Sequence, residues 1–354
     1  MDLVKPQYLL TFGRHCLAMS KKQKVLVLGG TQFIGRNLVG HLMARTEFEV
    51  SLFNRQKTGA QLFSQLQKIK GDRETKDIDQ IAKTDWDFIV DCSCYYPEAL
   101  QAVLRNVKRH SLKKYIFISS CSAYDNSNEH TPYKNETALT LECTSEQATD
   151  RTPSSYGQRK AECERILMSS GLPYVILRPA LVYGPYDPTD RLYYWLHQVK
   201  TRHQLLLPDM GMRQFSITYV HDLVSSILST LSSKKMGIFN IISQEFTSIA
   251  TIVEEASSSL RKTYDIVNAP ADFLKSEKIA QWTDMPLWLN GDHYTYSNKT
   301  MKEDLGLTPT SLSASLEVTL NYFEELHWPE PTYGIPEKLR LHLIEKARKW
   351  SANS

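Results

Sequence analysis

The chain is poor in several features that would direct its reading elsewhere. It has only 6 cysteines in 354 residues. None stands in a CxxC pair or in a Cys/His cluster with zinc spacing, which argues against a metal site or a disulfide framework. Cys92 and Cys94 fall in an apolar run that reads as a buried strand, so reduced thiols and a cytoplasmic setting are expected. No run of about 18 apolar residues is present, so no membrane-spanning helix is expected. The net charge is only +3, and the basic residues are spread out, which gives no footprint for nucleic acid. The segment Met1–Gln23 has no apolar stretch long enough for a secretory signal. Its first 18 residues read as a disordered extension or as an alternative start at Met19, with a transit peptide as the weaker alternative.

What is present is a regular alternation. Short apolar, β-rich runs lie at 24–28, 50–53, 66–69, 88–92, 115–119 and 174–178, with helical patterns at 36–44, 98–107 and 156–169. Continuous apolar strands separated by helices predict an α/β fold with a parallel sheet covered on both faces. After Gly184 the alternation breaks down. A strand returns at 238–242, followed by a helix capped near Thr247 or Ser248 and a short helix ended by Gly306. The basic amphipathic stretch 336–350 predicts a packed terminal helix. The segment 125–155 is polar and long for a connection. It is expected either to cover a site or to be disordered.

The stretch "VLVLGGTQFIGRNL" joins the first strand to the first helix and offers Gly29, Gly30 and Gly35. Backbone N–H groups and the helix dipole at such a turn favour a phosphate. Gly29 permits the sharp turn, and Gly35 lets helix and strand approach. Gln32 stands where a close-approach glycine is often found. The site survives if its side chain points away from the phosphates or bonds one of them. The second strand ends at Asn54, followed by Arg55 and Lys57. An acid here would bond a ribose 2′-hydroxyl, whereas a guanidinium accommodates a 2′-phosphate. This favours NADP(H) over NAD(H).

In "SSYGQRKAE", Tyr156 and Lys160 are spaced i, i+4, so one face of a helix carries both. A phenol with a pKa near 10 is a poor base at neutral pH. One positive charge at about 4 Å is worth on the order of 4 kcal/mol at an effective dielectric near 20, enough to bring the phenolate within reach. Ser120 ends the preceding strand, where ligands bind in doubly wound sheets, and its hydroxyl can hold a substrate oxygen.

From about Lys24 to Glu325 the chain resembles the extended or atypical short-chain dehydrogenases/reductases, the NAD-dependent epimerase/dehydratase family. The motifs that carry this are "GGTQFIG", "GDRETKD", "WDFIVDCS", "SSCSAY", Tyr156 with Lys160, "LRPALVYGP" and "YVHDL". The resemblance implies a Rossmann-type doubly wound sheet at 24–184, with 213–243 returning to it. It further implies a substrate-binding region at 185–212 and 244–334, ahead of a helical tail at 335–354. Ser120, Tyr156 and Lys160 would be catalytic. The dinucleotide would lie against Gly29, Gly30, Thr31, Gln32, Phe33, Ile34, Gly35, Asn54, Arg55, Asp72 (beside the adenine), Arg73, Cys92, Ser93, Tyr156, Lys160 and, with Arg178 on the nicotinamide side, Pro179.

The implied reaction is hydride transfer at a hydroxyl or ketone carbon of a small molecule, a sugar or sugar nucleotide, in a protein that commonly dimerises through a four-helix face. Tyr124, Asp125 and Glu129 are candidates for acid/base work on a neighbouring carbon. Tyr124, Asp187, Arg191 and Arg213, with Tyr194, are candidates for the substrate side. Two departures argue against a UDP-sugar: Leu181 replaces an asparagine, and Phe215 stands where sugar-nucleotide epimerases carry an arginine. The alternative is a catalytically silent relative that binds a dinucleotide and acts as a regulator or RNA-binding protein.

Overall fold

The computed structural model describes residues 21–127, 132–289 and 293–352. Its centre is a sheet of seven parallel strands: β1 (Gln23–Leu28), β2 (Phe48–Asn54), β3 (Gln67–Lys70), β4 (Phe88–Asp91), β5 (Lys114–Ile118), β6 (Tyr174–Pro179) and β7 (Gly237–Ile241). Their spatial order is β3-β2-β1-β4-β5-β6-β7. The chain winds outward one way from β1 to β3 and the other way from β4 to β7. The reversal falls between β1 and β4, and ligands bind beyond the strand ends at such a point.

Side-chain alternation along β1 explains why both faces are covered. Val25 and Val27 face Leu38 and Val39 of α1 (Phe33–Met43) and, further along the sheet, Leu223 and Ile227 of a helix at 220–232. Leu26 and Leu28 face the other way, into a core shared with Leu100 and Val103 of α2 (Pro97–Arg105) and Cys163 and Leu167 of α3 (Tyr156–Ser169). Cys94 belongs to this second core, whereas Cys92 lies just past the end of β4 and is half-buried. Helix α1 starts at Phe33, before the expected residue 36, and Gly35 lies inside its first turn. A Cβ on Gly35 would meet the backbone N of Gly30 at 2.6 Å.

After β6 the chain builds a second apolar core from α4 (Arg191–Thr201), α5 (Ile249–Leu260), α6 (Leu312–Glu325) and α7 (Glu337–Ala352). Ser248 caps α5 by accepting the Thr251 N–H. The basic tail helix α7 is packed: Leu343, Ile344 and Ala347 are buried. The polar 125–155 segment contains secondary structure among its described residues, against the expectation of disorder. Tyr133–Lys134 pairs with Thr295–Tyr296, and a capping box formed by Thr144 and Gln147 starts a helix at Ser145–Thr149. Glu129 and the first 20 residues lie outside the described residues.

Among the described residues no helix is long and apolar enough to cross a membrane. No group of three or more His, Cys, Asp or Glu among them could hold a metal ion.

Candidate functional site

The turn after β1 has the backbone of an anion cradle. Gly29 and Gly30 adopt φ of +111° and +95°, where an L side chain is strained. Gln32 is extended at the N-cap of α1, makes no side-chain cap bond and is exposed. The first N–H groups of the helix therefore keep their donors for an acceptor at this end. Thr31, Phe33 and Ile34 are half-buried around the turn.

Three residues expected at the adenosine end have protein partners of their own. Asn54 gives its amide N–H to the Gly29 carbonyl (2.9 Å), and its oxygen accepts the Gln56 N–H (3.0 Å), so it braces the turn. Asp72 folds its own loop by accepting the Glu74 N–H at 3.1 Å. Arg73 is the most firmly engaged of the three, because its guanidinium forks onto the fully buried Asp91 at 2.6 and 2.8 Å. Tyr115 donates to the same carboxylate at 2.6 Å, and the Ser93 N–H does so at 3.2 Å. Burial works against the Asp91 charge, but Arg73 and these donors outweigh it and hold the carboxyl below its usual range. Arg55, by contrast, is 59% exposed, with its guanidinium 4.0 Å from Asp72. Ser93 anchors the β4 end by donating to the Leu28 carbonyl.

Helix α3 brings the other half of the site to the same edge of the sheet. Gly157 lets its first turn press against the Cys121–Ala123 turn, since a Cβ there would run into the Ser122 carbonyl. Ser120 caps that turn by accepting the Ser122 N–H at 3.0 Å, and its own O–H remains available to donate. Lys160 is buried and donates to the carbonyls of Cys94 and Ile118, each at 2.8 Å. Its Nζ lies 5.8 Å from the ring centre of the half-buried Tyr156. Burial alone would press the Lys160 ammonium down. The anionic forms of Tyr156, Cys94 and Tyr95 favour the charge, however, and the net direction is up. Two carbonyls fix this ammonium and leave its third N–H for a ligand.

Residues 156, 160 and 164 share a helix face, and the third member is Glu164, which the motif alone did not single out. The same i, i+4 step that links Tyr156 to Lys160 would have found it. Glu164 is buried and accepts from Ser119 and from Arg178 Nε, the latter at 2.9 Å. Arg178 is therefore tied to α3, while Pro179 closes β6 in a buried position.

Of the substrate-side candidates, Asp187 and Arg191 line one small cavity with Leu181 and Leu192, which Tyr124, Tyr194 and Arg213 do not line. Tyr124 is fully buried, donates to the side-chain oxygen of Asn240 at 2.7 Å and stacks on Tyr296, so it supports the fold and does not line a pocket. Asp125 accepts from Ser127 in its own turn. Arg213 is half-buried ahead of the strand Phe215–Tyr219, and Phe215 itself is fully buried. Tyr194 is buried in the second core. Arg191 lies over the Trp282 ring at 5.3 Å, and its buried Nε has no hydrogen-bond partner among the described residues.

Asp187 accepts the Thr189 N–H and hydroxyl. Burial raises its carboxyl to about 6, against the Thr189 bonds and the charge of Arg191. The folded state thus binds this proton more tightly than the unfolded chain, and stability falls as pH rises from about 4 to about 6. Asp187→Asn keeps the accepting oxygen and removes the charge. We expect it to be more stable than wild type at about pH 7–8, by up to about 3 kcal/mol, and to lose that advantage near pH 4. A pH series of thermal midpoints checks this, and a difference constant across the series would refute it.

A doubly wound parallel sheet, with a glycine turn at its reversal point and a Tyr-Lys pair on the helix after β5, defines the class as a Rossmann-type dinucleotide-binding protein. The family model for the NAD dependent epimerase/dehydratase family matches residues 25–241, and the chain belongs to that family. A 249-residue stretch is 26% identical to the chloroplast stem-loop binding protein of 41 kDa b from Arabidopsis thaliana, covering 65% of this chain and 61% of that relative.

Among solved structures, the UDP-glucuronic acid 4-epimerase of Bacillus cereus, in complex with UDP-glucuronic acid and NAD, superposes with a TM-score of 0.66 at 21% identity, over 86% of this chain and 100% of that one. The dTDP-glucose 4,6-dehydratase of Bacillus anthracis, in complex with NAD, gives 0.66 at 20% identity, over 86% and 97%. The residues present fit a dinucleotide at the pyrophosphate end, where Gly29, Gly30 and the open N-terminus of α1 form a cradle that side chains would fill. They also fit at the Lys160 end, where one ammonium N–H is unassigned.

Proposed function

We propose that the protein is an NAD(P)(H)-dependent enzyme acting at a hydroxyl- or ketone-bearing carbon of a sugar or sugar-nucleotide-like substrate. The observation that carries this reading is the placement of Tyr156, Lys160 and the Ser120 turn at the same sheet edge as the glycine turn. A bound nicotinamide supplies the hydride acceptor or donor. The chain's own residues do the rest. Tyr156 exchanges the proton of the substrate oxygen. Lys160 sets the field at the phenol and offers its remaining N–H to the ribose, and Ser120 donates to the substrate oxygen. The sugar nucleotides named for the structural neighbours support the substrate class. The buried Phe215 means that a substrate diphosphate would be met by other residues.

Of the two dinucleotides we favour NADP(H). Asn54 is not an acid, and Arg55 presents an exposed guanidinium whose nearest carboxylate is 4.0 Å away. Titration followed by nicotinamide fluorescence should show NADPH binding about 10-fold more tightly than NADH, with Arg55→Ala removing the difference. Preference for NADH would refute the role of Arg55, and binding of neither would end the cofactor reading. The name of the plant relative motivates a second reading, stem-loop binding without turnover. Retardation of a stem-loop RNA by a protein inactive on UDP-glucose, UDP-glucuronic acid and dTDP-glucose would decide for it.

A further inference from the structure

The loop after β4 carries two adjacent tyrosines, and the fold treats them differently. The Tyr96 ring is covered by Arg151 at 3.8 Å and flanked by Arg159 at 5.1 Å. The Tyr95 ring turns toward the catalytic helix, with its centre 6.3 Å from that of Tyr156 and 5.4 Å from the Lys160 ammonium. Helix α3 fixes it there through the backbone. Lys160 donates to the carbonyl of Cys94, immediately before Tyr95, and Arg159 Nε donates to the carbonyl of Tyr95 itself at 3.2 Å. Tyr156, Lys160 and Arg159 all belong to one turn of that helix, so the two phenols are held by a single rigid element.

The setting is not that of a packing residue. Tyr95 is 49% exposed, and its hydroxyl has no hydrogen-bond partner among the described residues. A tyrosine kept for its apolar area would bury its ring and pair its hydroxyl. Phe117, with its ring centre 4.9 Å from Lys160, already fills the apolar side of the ammonium. The Tyr95 phenol is held above its ordinary value, so it remains a protonated donor at neutral pH.

We propose that Tyr95 is a second phenol of the active site, one that donates a hydrogen bond to a substrate oxygen on the carbon next to the one served by Tyr156. This rests on the enzyme reading above and narrows it. The preferred substrate carries oxygen functions on two adjacent carbons, and the neighbouring oxygen is what Tyr95 selects. Removing the Tyr95 hydroxyl and removing the matching substrate hydroxyl should then be redundant changes.

The test is an enzyme–substrate double-mutant cycle. Wild type and Tyr95→Phe are compared on whichever of UDP-glucose, UDP-glucuronic acid and dTDP-glucose the wild type turns over, and on the 3-deoxy analogue of the same compound. We expect Tyr95→Phe to lower kcat/KM on the parent by about 10- to 100-fold and on the deoxy analogue by about 2-fold or less. NADH and NADPH affinity should stay within about 2-fold of wild type. Equal losses on both substrates, or no loss on the parent, would overturn the role of Tyr95 while leaving Tyr156 untouched. A wild type that turns over none of the three removes the enzyme reading and this proposal together.

Discussion

Asp91→Ala is expected to lower the free energy of unfolding by about 3–5 kcal/mol. Asp91 is completely buried at the end of β4, and its carboxylate is the common acceptor for the Arg73 fork, the Tyr115 hydroxyl and the Ser93 N–H. Truncation leaves a guanidinium that is only 10% exposed without its counter-charge and a buried phenol without its acceptor. The loss reflects what is left unpaired more than the attraction itself. Replacing all three polar groups together, as Asp91→Leu, Arg73→Met and Tyr115→Phe, should therefore cost less than Asp91→Ala alone. Denaturant unfolding checks both values, and a loss below about 1 kcal/mol for Asp91→Ala would show that Arg73 finds other partners. The depressed Asp91 carboxyl also gives the sign of the acid response. Its contribution is fully present above the unfolded carboxylate pKa, near 3.9, and fades as pH falls through the lower folded value. The variant should lack that part of the acid sensitivity.

Tyr156→Phe is expected to reduce turnover by about 10²–10⁴-fold while leaving the fold and dinucleotide binding nearly intact. The ring stays, so the contacts with Tyr95 and Lys160 persist, and Lys160 keeps both backbone carbonyls. Only the hydroxyl proposed to exchange a proton with the substrate is gone. The measurement pairs kcat on the sugar-nucleotide panel with NADPH and NADH affinity for each protein. Turnover equal to wild type would remove Tyr156 from the chemistry, and a parallel collapse of affinity and thermal midpoint would make its role structural. Unlike Asp91→Ala, this substitution tests the reaction and not the scaffold.

Much of the scaffold was legible in the chain because its physics is local. Apolar runs of strand length separated by helical patterns need two covered faces, and the sheet supplies them. Gly29, Gly30 and Gly35 were readable for a similar reason: a positive φ or a backbone approach of 2.6 Å admits no side chain. The i, i+4 spacing placed Tyr156 and Lys160 on one face without reference to the rest of the molecule.

The partners of charged and aromatic side chains were not legible, because pairing depends on which strands become neighbours. Arg73 follows a motif acid and looked like a cofactor ligand. Parallel pairing brings β4 and β5 side by side, so that Tyr115 on β5 donates to Asp91 on β4, and the same carboxylate receives the Arg73 fork. Tyr124 looked like a loop residue, yet it lies under the segment that folds back over it and bonds Asn240, distant by 116 positions. Tyr95 carried no motif at all, and only the carbonyl bonds from Arg159 and Lys160 set it beside Tyr156. The sequence by itself determined the strand and helix pattern, the glycine elbow and the Tyr-Lys face, since each follows from backbone sterics and periodicity over a few residues. Tertiary structure alone decided which carboxylate meets which guanidinium and which phenol stays open, since those groups lie on elements far apart in the chain that only packing brings together.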